Sequence, residues 1–328
     1  GILTDIRGFH SLEVVSHCDV IIFVRSSERD AVENAFIEKN ATFIVGSLDE
    51  AFDCAARVID LVDPVEKKVR PAGGAPVVPD EAGSPYDMME SVIKKIADGG
   101  EFLEFFAAQN LTKTKSNFIT GLARIGGETV GVLSDQPLIL GGGADAPSTE
   151  KFRIFTQFVN RFGLRLLMLS NASGFIPGTK QERIRIQAIG GEALDTNIAG
   201  NVPVVSVVLN QNSGGRQIQA FSKHLRPGIH YMARENATLA VLGHTVAFDL
   251  FKAKNYRELA AAGNQSEADA MRSEFIDGFL EKARAKNDAY ATGAVDRLVT
   301  DMSKLRSMIL EGFEISEKEC RKAFGKKG

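Results

Sequence analysis

Apolar positions recur along this chain in two rhythms. Short continuous runs rich in β-branched residues stand at 19–24, 164–169 and 202–209. Such runs read as strands buried on both faces. Between them, apolar residues spaced three or four apart mark helices. Asp49 and Glu50 open one that carries Ala55, Ala56, Val58, Ile59 and Val62 on its apolar side. Further helices are expected at 27–37, 87–97, 183–198, 214–223 and 266–288. Another is expected from a cap at Ser148 to Arg161. Segments 117–125 and 129–134 flank Gly126-Gly127 and read as a hairpin. Strands alternating with helices predict an α/β fold with a mostly parallel sheet covered on both faces.

The rhythm breaks at 63–85, where Pro64, Pro71, Pro76, Pro79 and Pro85 stand with Gly73, Gly74 and Gly83. Proline opposes both helix and central strand, so this stretch reads as an extended linker. It separates a small α/β piece, 1–62, from a larger unit, 86–328. The chain opens on Gly1 in mid-pattern, which reads as the interior of a longer protein.

Composition narrows the function classes. Charged residues are 25% of the 328, and 42 acidic against 39 basic side chains leave a net charge of −3. That balance excludes a basic nucleic-acid binder. No run approaches the roughly 18 apolar residues of a membrane span, and no secretory signal is visible, so a cytoplasmic protein is expected. Cys18, Cys54 and Cys320 have no disulfide or zinc spacing, and His10 and His17 lack nearby ligand partners. No metal site is expected.

Candidate chemistry lies in glycine-bearing loops after strands, where open α/β sheets bind ligands. Ser173-Gly174-Phe175-Ile176-Pro177-Gly178-Thr179 is a tight loop whose backbone is open to a ligand, or an ordinary strand-to-helix turn. Asn212-Ser213-Gly214-Gly215-Arg216-Gln217 opens a helix, whose first N–H groups attract negative charge. Two such amides suit a developing oxyanion; the alternative is a plain glycine-rich helix start. Gly141-Gly142-Gly143 lacks nucleotide-binding spacing. Lys223, His224 and Arg226 form a basic loop, suited to a phosphate or to solvent.

These residues resemble a known family. Tyr86-Asp87-Met88 with the segment from Gly99 to Glu104, Gly121 through Gly127 leading to Asp135-Gln136-Pro137, and above all the loop from Gly174 to Thr179 are similar to the beta-type carboxyltransferase subunits of biotin-dependent acyl-CoA carboxylases. Gly214-Gly215 with Ser222-Lys223-His224-Leu225 follows at the family's spacing, and the likeness covers roughly 85–325. It implies a crotonase-like fold. Residues 1–62 would be the C-terminal part of the N-terminal carboxyltransferase domain, and 86–328 the C-terminal domain. It implies carboxyl transfer from N1-carboxybiotin to the α-carbon of a short acyl-CoA. The backbone N–H groups of Gly215 and Arg216 would hold the biotin ureido oxygen, and Gly214 and the loop from Gly174 to Thr179 would shape the pocket. Implied partners are a biotin carboxylase and biotin carboxyl carrier subunit, in a homo-oligomer of hexameric type. A decarboxylase or transcarboxylase subunit, or a non-catalytic paralogue, fits the same residues. The chain departs from the family pattern at Ser173, Arg183-Ile184-Arg185, Arg216-Gln217 and Val246.

Overall fold

The computed structural model describes residues 1–4, 15, 17–25, 37, 40–63, 65, 67–81, 83–107 and 116–325. A small parallel sheet joins β1 (Ile2–Leu3), β2 (Ile22–Val24) and β3 (Phe43–Val45). Helix α1 (Leu48–Val62) follows, with Ser47 as its cap and Asp49 and Glu50 in its first turn. The helix expected at 27–37 falls almost wholly outside the described residues, as does His10.

The main sheet has eight strands. β4 (Leu103–Phe105), β5 (Phe118–Ile125) and β6 (Glu128–Asp135) are antiparallel, with Gly126-Gly127 turning the hairpin. β7 (Arg165–Ala172), β8 (Val204–Ser213) and β9 (Ile229–Arg234) continue in parallel from β6, and β11 (Arg297–Val299) closes that edge. β10 (Thr238–Ala240) pairs with the far end of β8.

The period-2 rule sorts the sheet's side chains between two cores. Leu167, Leu169, Val205 and Val207 face one, beneath α9 (Leu305–Phe324), which contributes Leu305, Ile309 and Phe313. Leu166, Met168 and Val204 face the other, beneath Phe152, Phe155 and Val159 of α2 (Ala146–Phe162). A Cβ on Gly131 of β6 would lie 2.4 Å from a Val159 methyl, so only glycine lets α2 approach this closely.

Several boundaries differ from expectation. α2 begins earlier than Ser148: Asp145 is the cap, and Ser148 is its reciprocal partner in a capping box. Arg183, expected to open the helix 183–198, instead ends a separate short helix, α3 (Thr179–Arg183); the expected helix begins later, as α4 (Ile186–Ala199), after Arg185 in left-handed dihedrals. The helix expected at 214–223 is the short α5 (Gly215–Gln219). The strand expected at 202–209 runs on to Ser213. α6 (His244–Phe251), α7 (Ala253–Ala261) and α8 (Gln265–Ala283) complete the C-terminal half. Among the described residues no helix is long and apolar enough to cross a membrane.

Segment 67–81 is extended but docked. Gly73 and Gly74 donate to the Ala97 and Lys95 carbonyls, and Arg234 reaches back to Pro79 and Asp80.

Lys151 of α2 is fully buried, its ammonium donating to the Phe118 carbonyl at 2.8 Å. Burial drops its pKa from 10.5 to about 8, against a weaker opposing pull from Glu104. Below pH 8 the folded protein holds a desolvated charge. Between 8 and 10.5 only the unfolded chain keeps that proton, so stability from this group rises with pH. Ser116 also donates to the Phe118 carbonyl, so that acceptor survives loss of the lysine. Lys151→Met is therefore expected to raise the unfolding free energy at pH 7 by about 2 kcal/mol. Urea denaturation of both proteins should show this gain shrinking as pH approaches 10.5.

Candidate functional site

The glycine-bearing loops sit side by side because they leave adjacent parallel strands. β6 leads to the loop 136–145, β7 to 173–178 and β8 to Gly214. The first two are zipped together: Ala144 donates to the Gly174 carbonyl at 2.9 Å, and Ile176 donates to the Ala144 carbonyl at 2.8 Å. Ala144, just after Gly141-Gly142-Gly143, thus buttresses the Gly174–Thr179 loop. Gly174 and Gly178 have φ near +120°, which a side chain would oppose.

At the end of β8 the chain turns sharply through Gly214, whose φ of 65° and ψ of −153° belong to a region essentially reserved for glycine. Its N–H is anchored on the Ala240 carbonyl of β10 at 3.0 Å. The Gln217 N–H returns to the Gly214 carbonyl at 3.1 Å. Among the described residues, the N–H groups between them, on Gly215 and Arg216, have no hydrogen-bond acceptor. They are the open donors that a helix start leaves behind.

Gly215 lines a cleft of ≈ 450 Å³, whose walls also include Phe175, Pro177, Gly190, Leu194 and Ile218. Phe175 stands between glycines, its ring 3.5 Å from where a Gly215 Cβ would be and 3.6 Å from that of Gly190. A second cleft, ≈ 290 Å³, lies on the other side of Phe175, Ile176 and Pro177 and reaches Ser173, His244 and Val246. Two of the departures noted in the sequence, Ser173 and Val246, therefore belong to this second cleft.

The Arg216 side chain turns inward. It is 1% exposed, and it donates to Asp135 Oδ1 at 2.8 Å and to Gln219 Oε1 at 2.6 Å. Its guanidinium lies 5.1 Å from the ring centres of both Phe118 and Phe152. Asp135 is equally buried and also accepts from the Ser170 hydroxyl and the Asn171 N–H. The cleft is thus left clear of the guanidinium.

Asp135 and Gln219 were missed by sequence reasoning. Gln219 lies three residues after Arg216, a helical-neighbour spacing that carries signal. Asp135 is 81 residues away in sequence, and no local pattern joins it to Arg216. The basic loop is elsewhere: Lys223 is taken up by Asp296 and the Gly293 carbonyl.

Residues 44–328 match the family of the carboxyl transferase domain. The propionyl-CoA carboxylase beta chain of Roseobacter denitrificans is 40% identical over 167 residues, covering 51% of this chain and 31% of that protein. The corresponding chain of Cereibacter sphaeroides is 34% identical over 231 residues, covering 70% of this chain and 40% of that protein. Among solved structures, transcarboxylase 12S superposes with a TM-score of 0.78 at 25% identity, over 94% of this chain and 63% of its own. That protein was solved as a hexamer assembly with hydrolysed methylmalonyl-coenzyme A bound. The chain spans less than half the length of both curated relatives.

Removing one member of a buried ion pair leaves the other charge desolvated and alone. Arg216→Ala is expected to cost about 3–5 kcal/mol in urea denaturation. Asp135→Asn in the same chain should recover more than half of that loss, because a neutral amide tolerates the same burial.

Proposed function

Because the chain belongs to the carboxyl transferase domain family and has its crotonase-like α/β fold, we propose that it carries the biotin-side half of a carboxyltransferase site. The reaction is carboxyl transfer from N1-carboxybiotin to the α-carbon of a short acyl-CoA. The supporting observation is the pair of adjacent N–H groups on Gly215 and Arg216, without an acceptor among the described residues, beside a largely apolar cleft.

The residues present fit the group. A bicyclic ring needs apolar walls, which Phe175, Ile176, Pro177 and Ile218 offer, and a ureido oxygen needs donors. Carboxybiotin supplies the transferable carboxyl group and, once that is lost, a basic nitrogen next to a negatively charged oxygen. The Gly215 and Arg216 amides would meet that oxygen, and they are fixed beforehand by the Gly214 anchor, so little reorganisation is required as charge develops. Phe175, Ile176, Pro177 and Gly178 would form the opposing wall, with Gly174 and Thr179 at the two ends of that loop. Gly214 sets the angle of presentation. Apolar walls beside that oxygen would limit its contact with water and so strengthen the two hydrogen bonds.

The whole protein would work with a biotin carboxylase and a biotin carboxyl carrier subunit, in the cytoplasm, as a homo-oligomer of hexameric type. Support for assembly comes from the exposed apolar residues Val241, Val246, Leu250 and Phe251, which a partner surface would cover. The likeness to transcarboxylase 12S and to the methylmalonyl-CoA decarboxylase alpha subunit of Propionigenium modestum favours a second direction, transcarboxylation or decarboxylation through the same cleft.

Full-length protein incubated with carboxylated biocytin and propionyl-CoA is expected to move labelled carboxyl between them. No transfer to propionyl-, acetyl- or butyryl-CoA would sink this reading. Gly214→Ala re-aims the amides, because a side chain cannot hold those dihedrals. It should lower kcat on the order of a hundredfold while the protein stays folded by circular dichroism.

A further inference from the structure

The rim of the cleft is charged where its walls are apolar. Lys180, Arg183 and Arg185 are exposed, and among the described residues none makes an ion pair or a side-chain hydrogen bond. They alternate with Gln181, Glu182, Ile186 and Gln187, which line the cleft itself. Glu182 is the single acidic residue in 179–187, so three positive charges face one negative.

Arg185 adds a second observation. Its φ of 62° and ψ of 42° are left-handed, a conformation that suits glycine or asparagine. Its backbone closes the turn between α3 and α4, donating to the Glu182 carbonyl at 2.9 Å and accepting from Ile189 at 3.1 Å. The turn draws nothing from the guanidinium, which opposes the local backbone preference.

Charges on an exposed rim act over a Debye length, about 8 Å at physiological salt. They reach a macromolecule at the mouth rather than an uncharged ring inside. Under the proposed reading, biotin enters this cleft tethered to a protein, so that protein must settle on this rim. We propose that Lys180, Arg183 and Arg185 form a docking surface for an acidic face of the domain that carries biotin. This rests on the reading of the cleft as a biotin site. Rim charges of this kind govern association rate and its salt dependence more than the chemistry beyond them.

The test compares tethered with free biotin on the full-length protein. The probes are a biotinylated carboxyl carrier domain of net negative charge and untethered biocytin. The double charge reversal Arg183→Glu with Arg185→Glu should weaken carrier binding on the order of tenfold at low ionic strength. Added salt should erase most of that difference, and KM for carboxylated biocytin should stay unchanged. Arg185→Gly suits the backbone better, so it should keep or raise Tm while still weakening the carrier. Unchanged carrier affinity in both variants, with biocytin still used, overturns the docking surface and leaves the cleft reading intact. A rise in KM confined to the acyl-CoA assigns the rim to phosphate groups and overturns it equally. If the unmodified protein neither binds nor uses biocytin, the cleft reading falls and takes this proposal with it.

Discussion

The site depends on a charge that is kept out of it. Arg216, at the start of α5, sends its long cationic side chain inward, away from the cleft that the preceding Gly215 lines. A buried guanidinium is tolerable only if its charge is met; here both terminal nitrogens have partners, and Nε has none among the described residues. Asp135 meets the charge, Gln219 takes a second donor, and the Phe118 and Phe152 rings cover the flat faces. The pair also ties the end of β6 to the turn after β8, across the intervening β7. Three strands thereby hold their terminal loops in one arrangement.

Around that tie, space is made by glycine and filled by one aromatic ring. Gly190 and Gly215 leave room on two sides of Phe175, so the ring forms a wall shared by both clefts. The loop bearing Phe175 is fixed through the Ala144–Gly174 and Ile176–Ala144 hydrogen bonds. Hydrogen bonding between loops here does what a packed core does elsewhere, giving the wall a definite position without bulk at the opening.

Much of the fold was legible because strong periodicity has few readings. The hairpin at 118–135, the strands β7 and β8 and the helix α1 follow from apolar spacing and turn glycines. What failed was local. Ser148 looks like a cap from its sequence, but Asp145 three residues earlier competes for the same role and wins with a reciprocal bond. The turn at Arg185 was invisible because arginine is an ordinary helix residue and nothing in its side chain announces the left-handed backbone that joins α3 to α4. The glycine loops of the site were readable as loops. The fate of the Arg216 side chain was not, since its partner lies on a distant strand and only the folded register of β6 against β7 and β8 brings them together.

The order of β6, β7 and β8 has a dimensional consequence. Adjacent strands are held about 4.8 Å apart by their ladders, so loops leaving the outer two are separated by a gauge of about 10 Å. No side-chain rotation can widen that gauge, and stretching it means tearing backbone pairs. The spacing of these loops is therefore built into the sheet, whereas the cleft itself, bounded by the loop after β7 and by α3, α4 and α5, takes its shape from helices outside that ladder.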